Sequence, residues 1–116
     1  MIEVGEYIRT DKDTEILKII EVRKENKCIT DKYPNLILQL NRDFTKYSKN
    51  IIDLIEVGDI VKIKNLTGDF IVSTCYHVFN ITSKNILIEN INNKEIELIS
   101  ILTHEQYEQN CYKVVI

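Results

Sequence analysis

The chain has 116 residues, of which 44% are hydrophobic and 28% charged, and its formal net charge is −3. This composition excludes global disorder and predicts one globular domain over residues 1–116. The negative net charge disfavours a dedicated nucleic-acid binder, whose affinity comes mainly from neutralising phosphates. No apolar run approaches the roughly 18 residues of a transmembrane helix, so no membrane association is predicted.

The N-terminus and the cysteines predict a cytoplasmic protein in a bacterial host cell. The first six residues include two glutamates and lack the basic and apolar regions of a signal peptide. Cys28, Cys75 and Cys111 are odd in number and far apart, which is no disulfide framework. Isoleucine occurs 21 times and alanine is absent, a bias towards AT-rich codons that indicates a low-GC bacterium or one of its phages.

The first half of the chain contains short alternating runs of polar and apolar residues. Isoleucine favours strands, and the lack of alanine removes the best helix former. Pro34 cannot donate to a β-ladder and interrupts the pattern. Strands are predicted over residues 6–10, 15–22, 28–32 and 36–40, with a turn at residues 11–13 and a short helix as the alternative over residues 15–22. Ser48 or Asn50 is predicted to cap a helical turn over residues 51–54.

The second half predicts more strands and a short helix. Strands are expected over residues 59–65 and 70–78, with a turn between them, and a hairpin over residues 85–91 and 95–102 that turns at Asn92-Asn93-Lys94. Thr103, with Gln106 three residues later, matches a capping box and predicts a helix over residues 104–109, before a closing strand over residues 112–116. About eight short strands predict a mainly β fold, a compact barrel or sandwich of short antiparallel strands with one or two short helical turns.

One phrase occurs twice, as Ile2-Glu3-Val4-Gly5-Glu6 and as Ile55-Glu56-Val57-Gly58-Asp59. In both copies a Val-Gly-acid triplet precedes an alternating strand. Glycine permits a turn with positive φ, and the following acid can accept hydrogen bonds from turn amides. Small SH3-like barrels often begin a strand in this way and place a helical turn before their last strand. The two phrases and residues 103–116 resemble that usage, which implies the same fold.

Three blocks resemble small uncharacterised proteins of clostridial and related Firmicute prophages. They are Glu6-Tyr7-Ile8-Arg9-Thr10, the segment from Ser48 to Asp59, and the segment from Ile99 to Glu108. That group has no agreed activity, so the resemblance assigns no functional residue. It implies a phage accessory role, and blocking a host defence factor, as anti-CRISPR proteins do, is one such role.

The residues that could carry metal or catalytic chemistry are few. Cys75 and His77 share one face of a predicted strand, and with His104 and Cys111 they would make a Cys₂His₂ zinc site. No Cys-x₂₋₄-Cys pair supports that site, and no oxyanion feature supports a Cys–His nucleophile. Three glycines cannot form the common phosphate-binding loops. The sequence therefore predicts a non-enzymatic protein without a metal or other cofactor.

Two clusters are candidate partner-binding surfaces, one basic and aromatic, the other acidic with a tyrosine. The first combines groups that stack bases and meet phosphates, although a solvated loop whose aromatics cover the core edge explains it as well. The second suits a basic protein partner or ordinary solvation. The candidate residues are Arg42, Phe44, Lys46, Tyr47, Lys49, Glu105, Tyr107 and Glu108.

The leading functional hypothesis is a phage-derived interaction module that binds and inhibits a host protein. The alternatives are a nucleic-acid or small-nucleotide binding barrel and a phage structural or assembly component. Exposed strand edges leave both a monomer and a homodimer open.

Overall fold

The computed structural model describes residues 1–10, 15–68 and 72–110. The chain divides into two compact units, Met1–Leu54 and Ile55–Ile116, which are called unit 1 and unit 2 below. The predicted mainly β class is confirmed, since the described residues form antiparallel sheets of five and three strands with two short α-helices. None of the described helices is long and apolar enough to cross a membrane.

Some predicted features cannot be compared with the fold. The turn at residues 11–13, the start of the strand predicted over residues 70–78, the closing strand over residues 112–116 and Cys111 lie outside the described residues. The single domain predicted over residues 1–116 stays a prediction.

Unit 1 is a five-stranded sheet with the strand order β4-β3-β2-β1-β5. The order brings the first and last strands of the unit side by side, although 36 residues separate them in the chain. Two 3₁₀ turns, Lys24–Asn26 and Ile51–Leu54, complete the unit. The strands are β1 (Tyr7–Arg9), β2 (Leu17–Arg23), β3 (Lys27–Thr30), β4 (Leu38–Gln39) and β5 (Lys46–Ser48).

The core of unit 1 lies on one face of this sheet. On β2, Leu17 and Ile19 are buried while Lys18 and Ile20 are exposed, as the period of two along a strand requires. The register then shifts between Ile19 and Glu21, an irregularity of the kind that increases local twist. The buried members of the core cluster are Ile2, Ile8, Leu17, Ile19, Cys28, Leu38 and Phe44.

Strand β5 was not predicted, because it lies in the polar stretch of residues 41–50. It forms through tertiary pairing with β1, in which Tyr47 lies opposite Ile8. The predicted helical turn that follows is confirmed as a 3₁₀ turn. The Asn50 side-chain oxygen accepts a hydrogen bond of 3.2 Å from the Ile52 amide.

Unit 2 is a three-stranded sheet in which β6 (Ile60–Asn65) lies between β7 (Ser73–His77) and β8 (Ile96–Leu102). Helix α1 (Ile81–Asn92) joins β7 to β8, and α2 (His104–Asn110) follows β8. The predicted capping box of α2 is confirmed in its first half, since Thr103 Oγ1 accepts a hydrogen bond of 3.2 Å from the Gln106 amide. The buried apolar residues of unit 2 are Ile55, Val61, Val78 and Leu87.

The hairpin predicted over residues 85–91 and 95–102 is wrong in its first strand, which is part of α1. A capping box starts this helix: Asn80 Oδ1 accepts from the Ser83 amide at 2.7 Å, and Ser83 Oγ accepts from the Asn80 amide at 3.1 Å. Leu87 on the helix is buried. Capping and burial together outweigh the weak strand preference of isoleucine. The Asn92-Asn93-Lys94 segment ends the helix, and Lys94 takes the positive φ.

The repeated phrase builds the same turn in both units. Gly5 and Gly58 have φ of 91° and 102°, which confirms the predicted role of glycine. The Gly5 amide donates to the Ile19 carbonyl at 2.9 Å, and the Gly58 amide donates to the Val78 carbonyl at 2.5 Å. The Gly5 bond therefore joins the turn before β1 to β2, and the Gly58 bond joins the turn before β6 to the residue that follows β7.

The acid of each phrase is buried and holds its own turn, as predicted. Glu6 Oε1 accepts a hydrogen bond of 2.5 Å from the Glu3 amide, and Asp59 Oδ2 accepts one of 2.8 Å from the Glu56 amide. The first phrase precedes β1, which lies between β2 and β5. The second phrase precedes β6, which lies between β7 and β8. A helical turn follows β5 and β8, each the last strand of its sheet along the chain.

Candidate binding site

Two neighbouring cavities of unit 1 share the residues Arg42 and Asp43. The larger has a volume of about 390 Å³, and its walls are mostly apolar. The smaller, of about 120 Å³, also includes Arg9 and Lys46 and is more polar. The side chains that form the apolar wall of the larger cavity are Leu17, Tyr33, Leu36, Ile37 and Leu38.

A turn that begins at Tyr33 presents the outer wall of the larger cavity. Pro34 occupies the second position, where its fixed φ suits a β-turn, and the Leu36 amide donates to the Tyr33 carbonyl at 3.1 Å. Leu36 and Ile37 leave this turn with 49% and 39% of their surface exposed. The Lys32 ammonium lies 5.3 Å from the centroid of the Tyr33 ring, in a cation–π contact. The cavity thus has an accessible apolar wall and a cation beside it.

The loop between β4 and β5 supplies the shared residues of both cavities, and its geometry is fixed by Asp43. The carboxylate of Asp43 accepts a hydrogen bond of 2.8 Å from the Gln39 amide. The backbone carbonyl of Asp43 accepts a hydrogen bond of 2.6 Å from the Thr10 hydroxyl. Asn41 takes a positive φ of 69°, which asparagine tolerates, and its amide donates to the Phe44 carbonyl at 2.8 Å.

Arg42 lies on the rim between the cavities. Its Nε and Nη2 donate to Asp43 Oδ2 at 3.0 and 2.8 Å, and Nη2 is 3.4 Å from the Ile37 carbonyl oxygen. The Arg42 side chain is 58% exposed, whereas that of Asp43 is 9% exposed. Asp43 therefore holds the guanidinium in place while more than half of the Arg42 side-chain surface stays exposed. An apolar cavity with such a rim suits an apolar side chain next to a carboxylate.

The predicted basic and aromatic cluster does not form one continuous stacking surface. Phe44 is buried in the core, with its ring edge-on to that of Tyr47 at 6.4 Å between centroids. Lys49 Nζ lies 2.6 Å from Glu3 Oε2, and this contact raises the pKa of Lys49 and lowers that of Glu3. Arg42, Phe44 and Lys46 do come together as part of the smaller cavity.

The three remaining predicted residues lie on α2 in unit 2. Tyr107 is 48% exposed, and Glu108 is exposed as well. Glu105 is only partly exposed, because its carboxylate lies 3.3 Å from the Nε2 atom of His104. The described α2 therefore shows one tyrosine and one glutamate to solvent.

The residues of the predicted zinc site are placed differently from one another. Cys75 and His77 lie on β7, opposite Lys62 and Ile60 of β6. His104, by contrast, lies beside two glutamates, and within the described ranges this group contains no thiol.

Cys28 is buried in unit 1, where burial and the Asp43 charge raise the pKa of its thiol to about 11.

The apolar wall formed by Tyr33, Leu36, Ile37 and Leu38 was not predicted as a site. Residues 36–40 show a strand pattern, and nothing in the pattern separates exposed from buried apolar positions. The available signal was Pro34, which ends strand pairing and leaves an apolar run next to a turn.

Comparison with known proteins gives no relative from which to transfer a function. No protein-family model, no curated protein and no solved structure matches the chain. The function is therefore argued from the residues of the chain itself.

Proposed function

We propose that the chain is a non-enzymatic interaction module that binds a host protein through the two cavities of unit 1. The observation that carries this proposal is the apolar cavity of about 390 Å³ with the exposed Arg42 side chain, paired with Asp43, on its rim. Its volume lies in the range of roughly 300–1,000 Å³ that is common for ligand sites. Pockets of this kind accept the few anchor side chains that dominate protein interfaces.

The occupant that fits is a protein segment in which a large apolar side chain lies next to Asp or Glu. The apolar side chain enters between Leu36 and Tyr33, while the carboxylate meets the Arg42 guanidinium. Lys46 lies in the smaller cavity, and Lys32 lies beside Tyr33 in an ion pair of 3.0 Å with Glu15. Because Nε and Nη2 of Arg42 already bond to Asp43, the carboxylate of the partner is bound through the Nη1 donors.

The charge of the chain is distributed in a way that suits this occupant. Unit 1 contains ten basic and ten acidic residues, whereas unit 2 contains five basic and eight acidic residues. The net negative charge of the chain is thus that of unit 2, and unit 1 is neutral. An acidic segment is therefore not repelled by the net charge of the unit that holds the cavities.

The phage origin and the inhibitory role rest on the sequence. The composition indicates a low-GC genome, and three blocks resemble prophage proteins. A small phage protein whose cavity takes up an apolar anchor of a host factor can block the surface that the factor uses. Inhibition of a defence protein, in the manner of anti-CRISPR proteins, is the form of this role that we propose.

Protein binding is favoured over nucleic-acid binding at this site. Stacking on bases needs accessible aromatic rings, and the Phe44 ring is buried. Phosphate binding needs several cations, and two of the predicted ones, Arg42 and Lys49, are paired with the carboxylates of Asp43 and Glu3. Nothing among the described residues favours the assembly alternative either.

The test is binding to an array of peptides that pair one large apolar residue with one acid, followed by affinity measurement in solution. Leu36→Asp places a charge in the cavity wall and is expected to weaken binding by more than tenfold. Ile20→Asp is the matched control, because Ile20 is equally exposed, at 49%, and lies on β2 outside the cavity. Equal affinities for the two variants would overturn the cavity as the binding site.

A second variant tests the charge. Arg42→Gln is expected to remove the preference for acidic peptides over their amide counterparts while retaining the apolar preference. The peptides that bind are then used to compete with host proteins captured from a lysate. If no captured protein is released by a binding peptide and none is lost with Leu36→Asp, the proposed host-protein function fails.

A further inference from the structure

Three potential metal ligands converge in unit 2. The Nε2 atom of His104 lies 3.2 Å from Glu56 Oε1 and 3.3 Å from Glu105 Oε1. All three ligand atoms lie within 4.8 Å of one another. The side chains are 25–29% exposed, so they are partly enclosed and still reachable from solvent.

We propose that Glu56, His104 and Glu105 bind one divalent cation of the zinc class, with a fourth position left for water or a partner's side chain. One imidazole and two carboxylates form a mixed nitrogen and oxygen donor set that zinc accepts. Magnesium and calcium prefer oxygen ligands alone, so the imidazole disfavours them. This site is independent of the function proposed for unit 1.

The distances match the geometry of the ion. Zinc binds nitrogen and carboxylate oxygen at roughly 2.0–2.2 Å. In a tetrahedron with bonds of that length, two ligand atoms are separated by about 3.3–3.5 Å. The two separations from His104 Nε2 are within about 0.1 Å of that value. The third separation, between the two glutamate oxygens, is at most 4.8 Å.

The backbone that carries two of the ligands is fixed by a single buried carboxylate. Asp59 is fully buried, and its Oδ2 accepts from the Glu56 amide while its Oδ1 accepts from the His104 amide at 2.9 Å. Glu56 and His104 are 48 residues apart in the sequence. The two hydrogen bonds that Asp59 accepts therefore hold the backbones of Glu56 and His104 in place before any ion binds. The loss of conformational entropy on ion binding is smaller for that reason.

Gly58 allows the close approach of His104. A Cβ atom at position 58 would lie 3.0 Å from the His104 Cβ, so any side chain there would displace the imidazole. At Gly5, the matching position of the first phrase, an added Cβ would meet nothing within 4 Å.

The first phrase provides an internal comparison. Glu3 occupies in the first phrase the position that Glu56 occupies in the second. Its carboxylate contacts Lys49, which follows β5 as His104 follows β8. A lysine ammonium has no lone pair to offer a metal at neutral pH. The same turn thus carries an ion pair in unit 1 and a set of three ligands in unit 2.

The experiment is calorimetric titration of the chelator-treated chain with Zn²⁺, together with Glu56→Gln, Glu105→Gln and the matched control Glu3→Gln. We expect one equivalent to bind, and each of the first two changes to weaken binding by at least about tenfold, because even groups outside the ligand shell contribute roughly 10–100-fold. Glu3→Gln should bind as the unchanged chain does. The amide side chain of Glu56→Gln leaves the backbone bond to Asp59 intact, so loss of folding is not expected, and circular dichroism verifies this.

Cobalt and NMR spectra identify the ligands directly. Co²⁺ is expected to give visible bands of a four-coordinate ion without the strong near-ultraviolet band of a thiolate ligand, and Zn²⁺ is expected to shift the Nε2 resonance of His104. A thiolate band that disappears in Cys75→Ser would overturn the proposal in favour of a cysteine site. An unmoved His104 resonance at saturating Zn²⁺, or equal affinity in all three glutamine variants, would overturn it as well.

Discussion

Asp59 and His104 are 45 residues apart in the chain and are joined by a hydrogen bond of 2.9 Å from the His104 amide to Asp59 Oδ1. The bond fixes the start of α2 to the turn that precedes β6. Because Asp59 also accepts from the Glu56 amide, its two oxygens serve two separate segments of unit 2. The first phrase of unit 1 uses Glu6 for the same turn, where it accepts from the Glu3 amide.

Replacing Asp59 with alanine should strongly destabilise the protein. Two backbone amides lose their acceptor, and each buried unsatisfied donor costs roughly 1–3 kcal/mol. We expect Asp59→Ala to lower the free energy of unfolding by about 2–4 kcal/mol in urea titrations. Glu97→Ala, at an exposed position of β8, is the control and should change it by less than about 0.5 kcal/mol. Similar values for both variants would contradict the role of Asp59.

Alanine at the three glycines should separate conformational strain from steric overlap. All three glycines have positive φ, which costs a residue with a side chain about 1–2 kcal/mol. Gly5 and Gly68 have open space where a Cβ would be placed, whereas at Gly58 it would meet His104. Gly58→Ala should therefore reduce the melting temperature more than Gly5→Ala or Gly68→Ala. An equal loss at all three positions would show that the His104 contact relaxes freely.

The two described cysteines should differ in reactivity. Cys28 is buried, and the pKa of its thiol is raised to about 11, whereas Cys75 is exposed. The thiolate is the reacting form, so iodoacetamide at pH 8 should modify Cys75 in the native protein and Cys28 only after unfolding. Peptide mass mapping distinguishes the two sites. Modification of Cys28 at the rate of Cys75 would contradict its burial.

Because of the Cys28 thiol, we expect the folded protein to lose stability at high pH. The folded state raises the pKa of Cys28 from 9.0 to about 11, first through burial and then through the Asp43 charge. Because the folded state holds the proton more tightly, the stabilisation is complete below pH 9 and is lost as the pH rises through 11. The difference in unfolding free energy between the unchanged chain and Cys28→Val should follow this window. A difference that stays constant from pH 8 to pH 11 would contradict it.

Removing the N-cap of α1 should weaken the helix that the sequence pattern did not predict. Asn80→Ala deletes the acceptor of the Ser83 amide, and a cap of this kind contributes about 1 kcal/mol. We expect the free energy of unfolding to fall by that amount and hydrogen exchange to increase at the first turn of α1. Asn93→Ala, at the C-cap of α1, is the control, since the cap bonds there come from its backbone amide, which alanine keeps.

The fold was predictable where local chemistry decides it. The positive φ of Gly5 and Gly58, the acids that hold the turns and the Thr103 cap follow from residue types at fixed spacing. Strand β5 was not predictable in this way, because its pairing with β1 depends on contacts between distant segments. Helix α1 shows the reverse error: residues 85–91 alternate like a strand, while the deciding Asn80–Ser83 capping box lies before them.

The candidate sites were less predictable than the fold. Arg42 and Lys46 were identified from their charge, and they do border the smaller cavity. The apolar wall around Leu36 depends on which apolar residues the core leaves exposed, and a strand pattern does not distinguish them. The convergence of Glu56 with His104 depends on a contact over 48 residues, which spacing rules for metal ligands do not cover.

Helix α1 has a consequence for how the protein behaves when it is stressed. Its residues 86–91 contain three isoleucines and one leucine, with Glu89 as the only charge, and this is the kind of segment that stacks into cross-β fibrils. The helical conformation keeps the backbone amides of these residues paired within the helix. When the first turn of α1 opens on warming, the segment becomes available for pairing between molecules. We therefore expect aggregation on storage to begin here, with Glu89 as the gatekeeper that slows it.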